Sequence, residues 1–159
     1  MNRDLAMFVG GMGLLLAGRK ITGLASFARG AIGLERQWRA NHPECPPGFS
    51  ARWAASTKYY ESTHQNPTNR LLHIVGIPMI VGGALGLLVS RPFRPLWIAG
   101  ATSFTVGWAL NLVGHAVFEK NKPALTSDPL SFLAGPVWDM KQLRAARRAR
   151  KQAGNPVAD

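Results

Sequence analysis

Residues 71–118 read LLHIVGIPMIVGGALGLLVSRPFRPLWIAGATSFTVGWALNLVGHAVF, and their only formal charges are Arg91 and Arg94. The two arginines separate an uncharged run of 20 residues, Leu71 to Ser90, from one of 24, Pro95 to Phe118. Each run matches the roughly 20 helical residues needed to cross a hydrocarbon core of about 30 Å. The mean hydropathy of the whole chain, −0.01, hides this because the apolar residues are concentrated in one place. Two such runs joined by SRPFRP predict an all-α membrane protein built on an antiparallel transmembrane hairpin, with spans at 71–89 and 96–118.

The flanks fit this core. Asn66-Pro67 is a helix start: Asn caps free amides, and Pro is tolerated at the first helical position. The helix it opens should run to about Val89, and Pro78 removes one backbone donor and should bend it near Ile74. Gly82 and Gly86 form a small-xxx-small pair that lets a neighbouring helix approach. Upstream, residues 5–18 are apolar but too short to span comfortably, which predicts an interfacial or partly inserted helix. Residues 19–41 are amphipathic. HPECPPGFS, 42–50, has three prolines and reads as a linker separating this extension from the main unit. Downstream, Asp128-Pro129 signals another helix start, and PLSFLAGPVW is too short to span, so it should be interfacial or re-entrant. The expected organisation is an extension at 1–48, a membrane unit at 49–143 and a basic tail at 144–159.

The net charge is +11, concentrated at the two ends. Beside membrane spans, and without interleaved aromatics to stack on bases, this charge predicts attraction of the tail to anionic lipid headgroups and not nucleic-acid binding. Lys58, Arg70, Lys120, Lys122 and the tail fall on one side of the hairpin, Arg91 and Arg94 on the other. The positive-inside rule then makes the histidine-bearing end cytoplasmic. Cys45 is the one cysteine, which excludes an internal disulfide and a CxxC metal site. The N-terminus reads as a retained anchor, not a removed signal peptide.

The polar residues of this end form a pattern. His73 lies about 20 residues before the turn and His115 about 22 after it, so antiparallel packing puts them at one depth. His64, just before the Asn66 cap, can fold over the same end. Asn69 and His73 share a helix face, and so do Asn111, His115 and Glu119. Imidazoles with a carboxylate are ligands for Fe(II), Zn or Mn, and neighbouring Asn or Glu would orient the rings. Two other classes fit: a haem protein of electron transfer ligated by two of the histidines, or a scaffold whose His/Asn pairs lock the helices.

YYESTHQNPTNRLLHIVGIP (59–78) and WALNLVGHAVFEKNKPAL (108–125) together resemble the Mpo1-like family. Tyr59 or Tyr60, His64, Asn69, His73, Gly76 and Pro78 carry the first block. Trp108, Gly114, His115, Glu119, Pro123 and Ala124 carry the second, and the resemblance covers about residues 55–143. It implies a multi-pass membrane protein that is an Fe(II)-dependent dioxygenase of fatty-acid α-oxidation, shortening 2-hydroxy fatty acids by one carbon with O2 and releasing CO2. His64, His73 and His115 would then be iron ligands. Glu119 is the expected fourth member, since the remaining histidine, His42, is outside the motif. Asn69 and Asn111 would support the ligands, and Arg70, Lys120 or Lys122 would attract the substrate carboxylate.

Overall fold

The computed structural model describes residues 2–153; residues 154–159, the end of the basic tail, lie outside the described residues. The described residues form six α-helices and no strand: α1 Arg3–Leu16, α2 Lys20–Asn41, α3 Phe49–Thr63, α4 Pro67–Val89, α5 Pro95–Val113 and α6 Ser131–Ala153. A π-helical turn, Gly114–Glu119, extends α5, and a 3₁₀ turn, Ala124–Thr126, precedes α6.

Helix α4 starts where its sequence directs. The Asn66 side chain accepts from the amides of Thr68, at 2.9 Å, and Asn69, at 3.4 Å, with Pro67 at the first position. The helix continues through Pro78 to Val89, and Pro95 opens α5 in the same manner. The two helices are long and apolar enough to cross a membrane, the second counted through Glu119. They pack closely on each other. A Cβ on Gly83 would strike the backbone of Gly100 and Phe104, and one on Gly76 would strike Gly107 and Asn111. Residue numbers therefore rise on α4 as they fall on α5. The expected Gly82–Gly86 seam needs correcting. Gly86 does meet Gly100, but Gly82 faces open space and Gly83 makes the contact. One residue is a rotation of about 100° on a helix, enough to move a glycine off the seam.

The N-terminal helices are part of this packing. Leu15 of α1 joins Ile80, Leu87, Trp97 and Phe104 in the apolar core. The Lys20 ammonium donates to the carbonyl of Leu88 at 2.7 Å and to that of Ser90, supplying partners at the helix end where α4 leaves carbonyls free. The proline-rich segment after α2 lies between α2 and α3 and carries no helix before Phe49. Helix α6 runs through Pro136 as one 23-residue element and lies against α3.

A buried ion cluster ties α2, α3 and the entry to α6 together. Arg52 is 1% exposed and stacks 3.5 Å over Trp38. Its guanidinium donates to Glu35, to Asp128 at 2.6 and 3.1 Å, and to the Ser56 hydroxyl. Asp128 also caps α6, accepting from the amides of Leu130 and Ser131. Burial disfavours the Arg52 charge, but hydrogen bonds to Asp128 and Glu35 outweigh it and leave the guanidinium still harder to deprotonate.

Candidate metal centre

Three buried histidines meet where α3 ends, α4 begins and α5 widens. His64 follows the last turn of α3, His73 lies in the second turn of α4, and His115 sits in the π-helical turn. Their ring centroids are 4.7, 4.8 and 4.9 Å apart, and the ring planes meet at 85°, 78° and 89°. One ligating nitrogen from each ring lies within 4.8 Å of the other two, a group that could hold a metal ion.

Hydrogen bonds fix which nitrogen each ring presents. His64 Nδ1 is 3.0 Å from the carbonyl of Tyr60, and His73 Nδ1 is 2.9 Å from the carbonyl of Asn69. A carbonyl only accepts, so both Nδ1 atoms carry the proton. His115 Nδ1 lies 2.7 Å from Asn121 Oδ1, while Asn121 donates through Nδ2 to the carbonyl of Thr63 at 2.9 Å. That second bond orients the amide and assigns its oxygen to His115. In the neutral form of each ring Nε2 is then the acceptor. The Nε2 atoms of His64 and His73 face each other at 3.4 Å. Lone pairs this close repel unless something positive lies between them. The pocket lined by the three rings together with Tyr60, Trp108, Asn111 and Phe132 has a cavity volume of about 30 Å³, more than the ~10–15 Å³ that admits a single water-sized occupant. Donor chemistry and space both admit a cation.

Protonation does not relieve that repulsion at His64. Burial first, then the neighbouring His73 and His115, push its pKa down to about 3. Tyr60 covers the ring, stacked at 3.8 Å and 19°. The Tyr60 hydroxyl donates to Asp139 at 2.8 Å, and Asp139 also takes a 3.2 Å bond from Arg70. Burial, then the Asp139 charge, pushes the phenol up, and burial likewise raises Asp139 itself.

The other residues expected at the site are distributed around it. Glu119 Oε1 accepts from the Gln65 amide at 2.7 Å. Its Oε2 accepts from the Asn66 amide at 3.0 Å and the Asn69 side chain at 3.1 Å. The carboxylate thus holds the start of α4 and is not in the converging set. Asn69 and Asn111 are buried, and each leaves its Oδ1 without a hydrogen-bond partner. The two oxygens lie over glycines of the facing helix, where a Cβ on Gly114 or Gly76 would collide with them. Asn111 also lines the histidine pocket. Arg70 is engaged by Asp139 and lies 4.4 Å over Trp138. Lys120 is exposed in a left-handed turn at φ 56°, and Lys122 is exposed beside it.

Sequence reasoning missed Asn121, Tyr60 as a cover, and Asp139. Tyr60 stands four residues before His64, a spacing visible on one helix face. Asn121 gave no such signal: it reaches His115 because the chain reverses at Lys120, whose amide bonds back to the His115 carbonyl.

Together these features define a helical protein with two long apolar helices and a buried, tautomer-fixed triad of imidazoles at one end of them. The chain belongs to the Mpo1-like family: the family model described as "2-hydroxy-palmitic acid dioxygenase Mpo1-like" matches residues 50–146, from the start of α3 into α6. No curated protein and no solved structure matches the chain.

Proposed function

We propose that this chain is a membrane-embedded, Fe(II)-dependent dioxygenase that removes one carbon from 2-hydroxy fatty acids. The observation that carries this reading is the convergence of three buried histidines whose ligating nitrogens lie within 4.8 Å of one another, in a chain of this family. A haem macrocycle would have to displace rings that pack edge to face with centroids 4.7 to 4.9 Å apart.

Iron(II) held by His64, His73 and His115 would supply the activation of O2 and the oxidative cleavage. The stoichiometry closes without another reductant: a 2-hydroxy acid and O2 give the acid one carbon shorter, CO2 and water, four electrons passing from substrate to oxygen. The protein's own groups prepare this. The Tyr60, Asn69 and Asn121 oxygens keep the three rings in one tautomer, and such partners are worth 10–100-fold in metal affinity. Glu119 is a positioning residue that fixes His64 and His73 relative to each other through the Gln65 and Asn66 amides. Asn111 offers its amide to the substrate carboxylate or hydroxyl. Tyr60, Ile77, Leu112 and Phe132 exclude water. Exposed Lys120 and Lys122 draw the carboxylate in, since Arg70 is already neutralised by Asp139.

Membrane insertion is supported by exposure. Only 33% and 28% of the most apolar windows of the two long helices are buried, and Leu71, Leu85, Val89, Leu96 and Val117 are each more than half exposed. A soluble core helix would hide such side chains; these face hydrocarbon. The two helices then form an antiparallel transmembrane hairpin in a multi-pass protein, with the histidine end and basic tail on the cytoplasmic side against anionic lipid.

The test is purification without oxygen, loading with Fe(II), and addition of O2 with 2-hydroxypalmitate. Pentadecanoate and CO2 in equal amounts are expected. Retention of iron without either product rejects the reaction, and failure to retain iron rejects the site.

A further inference from the structure

Beside the histidine pocket lies a second cavity of about 260 Å³ whose exposed lining is entirely apolar. One wall is α4, from Ile80 to Leu88; the opposite wall is α1, through Phe8, Met12 and Leu15. Trp108 and Phe132 line both this cavity and the histidine pocket, stacked on each other at 5.6 Å and 12°. The floor is buried at Phe8, Leu15, Ile80 and Phe104, whereas Leu24, Val81 and Leu85 at the rim are exposed. The cavity is therefore closed at depth and open on the side between α2 and α4. Its α1 and α2 walls lie outside the residues matched by the family model.

We infer that this cavity holds the acyl tail of the substrate, and that the N-terminal helices determine which chain length fits. The inference rests on the proposed reaction, because the cavity adjoins the histidine pocket across the shared Trp108–Phe132 pair, and that adjacency identifies the occupant. From His73 to Leu88 is roughly 22 Å along a helix. The nearer end of that α4 wall, Ile80, is roughly 10 Å from His73, and Ala84 is roughly 16 Å. One acyl chain fills about half of a hydrocarbon core of ~30 Å, so a tail whose head is at the imidazoles reaches the Ile80–Ala84 part of the cavity. The apolar lining gives no hydrogen bond to a polar ligand and rewards methylenes, each worth about fourfold in binding. The exposed rim faces the lipid from which a fatty acid would arrive. Met12 and Leu15 define the far wall, and Ala84 leaves space that a larger side chain would occupy.

The experiment uses the full chain in lipid nanodiscs and two independent readouts. A 2-hydroxy fatty acid carrying a diazirine at the tail end is photolysed on the protein, and labelled peptides are mapped by mass spectrometry. Label on α1, around Phe8–Leu15, or on the facing stretch of α4 is expected; label confined to other segments overturns the inference. Separately, kcat/KM is compared for 2-hydroxydecanoate and 2-hydroxypalmitate. Ala84→Phe should cut the palmitate-to-decanoate ratio by roughly 16-fold, the equivalent of two methylenes, and Met12→Ala should raise it. An unchanged ratio in both variants overturns the inference. The wild-type chain separates the two readings: cavity labelling with no turnover of any chain length rejects the reaction and keeps the tail site, while turnover with label elsewhere does the reverse.

Discussion

Two of the protein's buried polar clusters differ in what is left over. Around Arg52, the guanidinium meets Glu35, Asp128 and Ser56, and Asp128 further caps α6. Around the histidines, each ring has one nitrogen satisfied and one aimed at its neighbours. A buried cluster whose hydrogen-bonding capacity is used internally holds elements together. One that leaves three ligating nitrogens facing each other could hold a cation. The same contrast separates the chemistry of the two: opposite charges can be buried together as partners, whereas three like acceptors are compatible with burial when they are shared around a cation.

The comparison can be broken at either cluster. The largest effect is expected at Arg52. Arg52→Ala leaves Asp128 buried and unpaired, which should cost about 3–5 kcal/mol of stability; a thermal or denaturant unfolding curve near that of the unaltered chain would remove the cluster's structural role. Next comes Asn121→Ala, which frees the His115 ring to change tautomer while removing little packing. Metal affinity should fall 10–100-fold, read by chelator competition, with the unfolding midpoint nearly unmoved.

A smaller effect follows from pH in the metal-free protein. His64 titrates near 6.5 in an unfolded chain and near 3 in the folded one. Between those values the unfolded state binds more protons, so stability is complete above pH 6.5 and declines on acidification. The slope is at most roughly 1.4 kcal/mol per pH unit from this one residue. Unfolding measured from pH 7 to pH 5 should show that slope shrink in His64→Asn; an identical slope in the variant would place the proton uptake elsewhere.

These residues also show what the sequence made legible. The lengths of the two uncharged runs and the Asn66-Pro67 start need only local information, and α4 begins and ends where they indicate. The meeting of His64, His73 and His115 follows from counting residues to the turn. Glu119 shows the limit: its spacing from His115 marks it as polar and near the site. Its partners, the Gln65 and Asn66 amides and the Asn69 side chain at the start of α4, are 50 or more residues away and are brought to it by folding alone. Asn121 depends on the reversal at Lys120, and Gly83 in place of Gly82 on a single rotation step. Arg52 read as one more cation in a basic N-terminal half, because its partners at positions 35 and 128 are brought together by folding alone.

The most direct measurement is an anaerobic Fe(II) titration of the full chain beside His115→Ala and Arg52→Met, followed by metal analysis and circular dichroism. One iron per chain is expected for the unaltered protein and none for His115→Ala at equal helicity. Arg52→Met, studied below its lowered unfolding temperature, should still bind one. Iron binding unchanged in His115→Ala, or absent from the unaltered chain, would contradict the assignment of the unsatisfied cluster as a metal centre.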